Sequence, residues 1–150
     1  MSHLALDEKV KSEISVLART PRLNRDLPQR LADFSTLAEG LDYAAQGVTG
    51  FNFYSGRGAL EFVLPFAELR RRAMATARKL LSTGLKRFDR VAIVAETGPE
   101  FVVGFFACQY AGFMPCPVPY SMYIGGKDAY VSRIAGMLSA AHANAILVPA

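Results

Sequence analysis

The 150 residues are 51% apolar and 20% charged, with 17 Lys and Arg against 13 Asp and Glu, a formal net charge of +4. That apolar share excludes a disordered chain and suffices for one core, while so small a basic excess describes a solvated surface better than a footprint for an acidic partner. Cys108 and Cys116 lie in apolar surroundings without metal-ligand spacing; they read as buried reduced thiols in a cytoplasmic protein, not as a disulfide or zinc site.

Residues 1–30 read as an appendage and linker, and 31–150 as the folded unit. Asp7, Glu8 and Lys9 interrupt any secretory core. Leu6, Val10, Ile14 and Leu17 fall at helical spacing, and Thr20-Pro21 stops that pattern. Arg19, Arg22, Arg25 and Arg30 follow with no interleaved aromatic residue, so a solvated connector is expected and nucleic acid is not.

A helix is expected over 33–46, with Leu37, Leu41, Ala44 and Ala45 on one face, Ser35 or Asp33 as its cap and Gly47 at its end. Phe51–Tyr54 and Leu60–Leu64 flank Ser55-Gly56-Arg57-Gly58, a hairpin signal. GRGALE at 56–61 lacks the third glycine of a dinucleotide fingerprint and precedes a strand pattern, so it reads as a turn. Over 65–83, Phe66, Leu69, Ala73, Ala77 and Leu80 form an apolar stripe, with Glu68 early and Lys79 late, as the helix dipole favours. Arg70-Arg71-Arg72 point in three directions on such a helix and read as a solvated face.

Val91–Ala95 is a charge-free, β-branched run that suits a strand buried on both faces. Thr97-Gly98-Pro99-Glu100 predicts a helix start, with Thr97 and Glu100 as a capping box. Phe101–Ala111 is apolar nearly all round and needs cover on every side. Gly104 permits close approach of a neighbour, and Gly112 ends the helix in the left-handed conformation. The charge-free stretch from Phe101 to Pro119 approaches a membrane span in length, but its prolines, Gln109 and the preceding strand argue against one. Phe113–Val118 reads as a parallel strand that Pro115 and Pro117 push to an edge. A helix over 128–142 follows, with Tyr130, Val131, Ile134, Met137, Leu138 and Ala141 on one face. Asn144 is expected at its C-terminal turn and His142 as a terminal residue favoured by the dipole. Ala145–Pro149 is a third buried-strand pattern.

The order predicts an α/β fold, a parallel sheet with helices on both faces preceded by a β-hairpin. Ligands of such sheets bind beyond the carboxyl ends of the strands, here Glu96-Thr97, Tyr120-Ser121 and Pro149-Ala150. No lysine phosphate loop, metal spacing or nucleophile elbow stands there. No catalytic or metal-ligating residue is therefore assigned, and Tyr120 and Ser121 are the candidate substrate contacts. The unit is expected to be incomplete at its C-terminus, since the third strand ends where its loop would begin.

The run from Leu64 to Pro119 resembles the opening of the adenylate-forming acid ligases, the superfamily of acyl-CoA synthetases, fatty acyl-AMP ligases and peptide-synthetase adenylation domains. The resemblance rests on Phe66-Ala67-Glu68-Leu69, Gly84-Leu85, Asp89-Arg90-Val91, Pro99-Glu100-Phe101, and Ala111-Gly112 with Pro115, Pro117 and Pro119. It extends over about residues 33–150, and Asn52-Phe53-Tyr54 with Phe105-Phe106-Ala107-Cys108 look more like the fatty acyl-AMP ligase branch. It implies the N-terminal lobe of an enzyme of fatty acid metabolism. Such an enzyme uses ATP and Mg²⁺ to convert a fatty acid to an acyl-adenylate, then passes the acyl group to coenzyme A or a carrier-protein pantetheine. The family's phosphate loop, magnesium glutamate, ribose aspartate and mobile lysine match nothing in this sequence. The 150 residues alone are therefore expected to bind no cofactor and to be inactive, with the remainder of the ligase, and an acyl carrier protein, as implied partners. The alternative is a non-catalytic α/β binding or assembly module, self-associating through an exposed strand edge. A dehydrogenase-type nucleotide module is disfavoured by the missing glycine fingerprint.

Overall fold

The computed structural model describes residues 27–31, 33–120 and 125–148. The N-terminal helix pattern, Arg19, Arg22, Arg25, Ser121 and Pro149 lie outside the described residues. Helix α1 (Leu37–Ala44) precedes a hairpin of β1 (Gly50–Tyr54) and β2 (Leu60–Pro65). Then come α2 (Phe66–Leu81), β3 (Arg90–Val94), α3 (Pro99–Ala111), β4 (Met114–Val118), α4 (Gly126–Ala140) and β5 (Ala145–Leu147).

The hairpin is antiparallel and separate from the main sheet. That sheet runs β4-β3-β5 and is wholly parallel, with Val91 opposite both Pro115 and Ala145. Alternate residues of β3 therefore serve opposite layers. Val91 and Ile93 face α2 and α3, in a core with Ala77, Leu80, Ala107, Cys108 and Phe113. Ala92 and Val94, with Val118, face Ile134 and Leu138 of α4. A second core joins Leu41, Leu64, Leu69 and Val103, packing α1 and the hairpin onto α2 and α3. Helices thus cover both sheet faces, as expected.

The stripe on α2 buries Leu69, Ala73, Ala77 and Leu80. Gly104 lies where an added Cβ would stand 3.4 Å from Leu147 and 3.7 Å from Ile93, so its lack of a side chain lets α3 sit close on the sheet. Gly112, at φ 74°, is the left-handed cap of α3. At 13 residues α3 spans only about 20 Å at 1.5 Å per residue, short of a bilayer core. No described helix is long and apolar enough to cross a membrane.

The prolines of β4 have a specific place. The Met114 amide donates to the Asp89 carbonyl at 2.9 Å, so even-numbered positions of β4 face β3. Pro115 and Pro117 then fall on the free side, where no amide donor is needed. The strand is at an edge because of them, and that edge has lost donors that could recruit another strand.

Three expectations about helix ends need correction. Neither Ser35 nor Asp33 caps α1. The cap is Thr36, whose Oγ1 accepts the Glu39 amide at 3.1 Å while Glu39 Oε2 accepts the Ser35 amide at 2.9 Å. Only Thr36 has an acid three residues on to complete that exchange. Thr97 does not cap α3, whose cap is Gly98, with no side-chain hydrogen bond and Pro99 starting the helix. Proline prefers the first helical position, which leaves the cap to the residue just before it, and the Glu100 carboxylate is taken by Arg72. Asn144 does not take the turn after α4. His142 does, at φ 49°, and the Ala143 amide reaches back to the Leu138 carbonyl at 3.1 Å. Asn144 is already bound to β3: its Oδ1 accepts the Arg90 amide at 2.9 Å and its own amide donates to the Arg90 carbonyl at 2.7 Å.

Candidate functional site

From β3 the chain moves to β4 on one side, then returns past β3 to β5 on the other. The order reverses between β3 and β5, and ligands of open α/β sheets bind at the carboxyl ends flanking such a switch point. Two hollows flank this one, on opposite faces of the sheet. The larger, about 550 Å³, lies under α4 and is lined by Val94, Tyr120, Ile134, Leu138, Ile146 and Val148, with Tyr130, Val131 and Ala135 completing it. The smaller, about 200 Å³, lies toward α2 and α3, where Ile93, Ala95, Gly104 and Leu147 are joined by the polar Thr76 and Glu100.

Tyr120 is therefore on the larger hollow, as a residue following β4 should be. Its neighbour Ser121 lies outside the described residues. Sequence reasoning missed Tyr130, whose hydroxyl is buried with no hydrogen-bond partner among the described residues. It was counted among the apolar residues of α4, and only the open hollow makes its polar atom conspicuous. Glu96 and Thr97 stand before the helix cap, Gly98. Both are exposed at the carboxyl end of β3.

The cysteines stay apart from this chemistry. Both are free thiols, Cys108 buried and Cys116 half-buried. Burial, with the nearby Cys116 adding to it, pushes the Cys108 thiol up to about 11, too high for a nucleophile at neutral pH. Among the described residues no group of three His, Cys, Asp or Glu side chains stands close enough together to hold a metal ion.

The strongest polar cluster is remote from the rim and ties three helices. Asp42 on α1 accepts from Arg70 Nε of α2 at 2.6 Å and from the Tyr110 hydroxyl of α3 at 2.7 Å. Burial raises the Asp42 carboxyl, but the Tyr110 hydroxyl and the Arg70 guanidinium outweigh it, leaving it below the usual carboxylate range. Burial and the Asp42 carboxylate together push the Tyr110 phenol up. Arg71 pairs with Glu68 within α2, and Arg72 crosses to Glu100. The three consecutive arginines thus point to three different carboxylates, Arg71 solvated as expected and Arg70 and Arg72 partly buried. Arg30 likewise stacks on Phe34 and Tyr43 and pairs with Asp33 at 2.7 Å.

Known proteins share this fold. The chain is 48% identical over 124 residues to a Caulobacter vibrioides protein provisionally named as an acyl-CoA synthetase, covering 83% of this chain and 22% of that protein. A structure from a study of fatty acyl-adenylate ligases of E. coli and L. pneumophila superposes with a TM-score of 0.73 at 47% identity, over 79% of this chain and 21% of that one. The fatty acid AMP ligase of Legionella pneumophila shares the fold at 17% identity, TM-score 0.63, over 76% of this chain and 19% of its own. The chain spans about a fifth of the length of these relatives. Residues 55–150 match the family model described as AMP-binding enzyme. The chain belongs to the family of AMP-binding enzymes, as the reading of Phe66 to Pro119 led one to expect.

Proposed function

We propose that this chain is the N-terminal lobe of a fatty-acid-activating ligase. In that reaction a carboxylate oxygen attacks the α-phosphorus of ATP, pyrophosphate leaves, and the acyl-adenylate then passes its acyl group to a thiol of coenzyme A or a carrier-protein pantetheine. The observation that carries this reading is the 47% identity, at a TM-score of 0.73, with the structure from the fatty acyl-adenylate ligase study. The apolar hollow beside Tyr120 agrees with a substrate whose tail is hydrocarbon.

The lobe's part is a wall. Its described residues include no cluster fit for Mg²⁺, and its strand ends offer no lysine loop for phosphates, so no step is assigned to a residue of this chain. Tyr120 and Ser121 touch the ligand. The chemistry is supplied by the remainder of the polypeptide, working in the cytoplasm.

The test is turnover of ATP and a long-chain fatty acid by the full-length protein, with and without coenzyme A. Acid-dependent pyrophosphate release is expected from it and none from residues 1–150 alone. Release by the short chain, or none by the full-length protein with any fatty acid, refutes the proposal.

A further inference from the structure

The opposite rim, at the amino ends of the strands, holds a feature the proposed activity does not use. Phe88 adopts φ 70°, a left-handed conformation that is a genuine outlier for a bulky residue. The turn enforces it. The Phe88 amide donates to the Gly112 carbonyl at 2.8 Å and the Asp89 amide to the Lys86 carbonyl at 3.0 Å, while the Lys86 amide donates to Asp89 Oδ2 at 2.7 Å. Glycine would take this backbone without strain. A phenylalanine there earns nothing from the described core, since its ring is 64% exposed.

Its surroundings are one-sided. The Arg87 guanidinium lies 4.8 Å from the Phe88 ring centroid. Lys86 and Arg87 are exposed, as are Arg78 and Lys79 in the last turn of α2. None of these four cations forms an ion pair with a described residue, unlike Arg70, Arg71 and Arg72. Asp89 is the only acidic residue between Arg78 and Ala95, and its carboxylate is bound to the Lys86 amide. Leu81 and Met114 add exposed apolar surface at 51% and 44%, and the Met114 amide bond to Asp89 places it against the same turn.

We infer that this rim, with Phe88 as its anchor and Arg78, Lys79, Lys86 and Arg87 around it, docks the protein on an anionic lipid bilayer. Phenylalanine and leucine set among lysines and arginines are the composition of an interfacial membrane site. A cluster of Lys and Arg beside an exposed apolar anchor is what an anionic lipid surface attracts, each cation near that surface contributing about 1 kcal/mol, or about five-fold in affinity. The inference does not rest on the proposed activity.

The experiment is co-sedimentation of the full-length protein with vesicles of phosphatidylcholine alone and of phosphatidylcholine mixed with phosphatidylglycerol. Binding to the mixed vesicles only is expected, falling as salt rises. Phe88→Gly should weaken it about ten-fold, by loss of one buried aromatic ring. Lys86→Ala and Arg87→Ala should each weaken it about five-fold. Because glycine relieves the backbone, Phe88→Gly should also raise Tm. Failure of the wild type to bind mixed vesicles, or equal binding by Phe88→Gly, overturns the inference. So does a lowered Tm of Phe88→Gly, which would mean the ring is buried by another part of the polypeptide. Capture on immobilised polyglutamate without vesicle binding would assign the patch to an acidic protein and overturn it equally.

Discussion

Both faces of the parallel sheet are made from the same strands, and Val91 and Ile93 alternate with Ala92 and Val94 along β3. Toward α2 and α3 the result is a closed core in which Val91, Ile93, Ala107 and Cys108 are almost wholly buried. Toward α4 it is a hollow of about 550 Å³, and α4 has no buried residue although its apolar side chains recur at helical spacing. The difference lies in the partners. Two helices converge on the first face, and Gly104 lets α3 approach closely. A single helix lies over the second, so Val131 and Met137 stay exposed. An apolar stripe states what a helix can bury, and its neighbours decide what it does bury.

Substitutions can break or sharpen this contrast. The largest effect belongs to the closed face: Ile93→Ala should cost about 2–5 kcal/mol in denaturant unfolding, as a large-to-small change in a packed core. Ile134→Ala on the open face should cost under about 1 kcal/mol in the 150-residue chain, because a half-open site loses little on truncation. In the full-length protein its cost should climb toward that of Ile93→Ala if the rest of the polypeptide fills the hollow, and equal small costs in both would show that it stays open.

Next comes the clamp that holds α1 on the closed side. Asp42→Asn should cost about 1 kcal/mol, limited by solvent screening because both Asp42 and Arg70 are more than two-fifths exposed. The pH sign follows from a folded carboxyl pKa below its unfolded value of about 4. The stabilisation is fully present above that value and is lost as pH falls below it, through the folded pKa. Acid unfolding of wild type and Asp42→Asn should therefore diverge above about pH 4 and converge below it. Thr36→Ala, removing the α1 cap, should cost a similar ~1 kcal/mol.

The thiols give a smaller effect on the same contrast. Cys108, on the closed face with its thiol near 11, should resist iodoacetamide at pH 8 until the protein unfolds, whereas Cys116 reacts in the native state. A raised thiol pKa stabilises the fold below the unfolded value of about 8.5 and is lost as pH rises toward 11. Mass spectrometry of labelled peptides reads the first outcome directly. Smallest of all, Thr97→Ala should change stability by less than about 0.5 kcal/mol, because Thr97 caps nothing.

Much of this molecule could be read from the order of its residues. The β-branched run at Val91, the prolines at 115 and 117, the stripe on α2 and the glycine at 112 each carry a local constraint that any neighbour must respect. So does the resemblance running from Phe66 to Pro119. The candidate site was only partly legible. A residue following β4 could be placed at the carboxyl rim by connectivity alone, which singled out Tyr120. The hydroxyl of Tyr130, without a partner among the described residues, could not, because periodicity counts a tyrosine as apolar.

Amino-acid order by itself determined which segments become strands and helices and which faces are apolar, since those follow from backbone sterics and from side chains close in sequence. Tertiary structure decided the rest. It sent Arg70 to Asp42 and Arg72 to Glu100, held Asn144 on Arg90 so that the left-handed turn fell to His142, and left a hollow under α4. Each depends on which group, distant in sequence, arrives within about 3 Å to complete a hydrogen bond or fill a space.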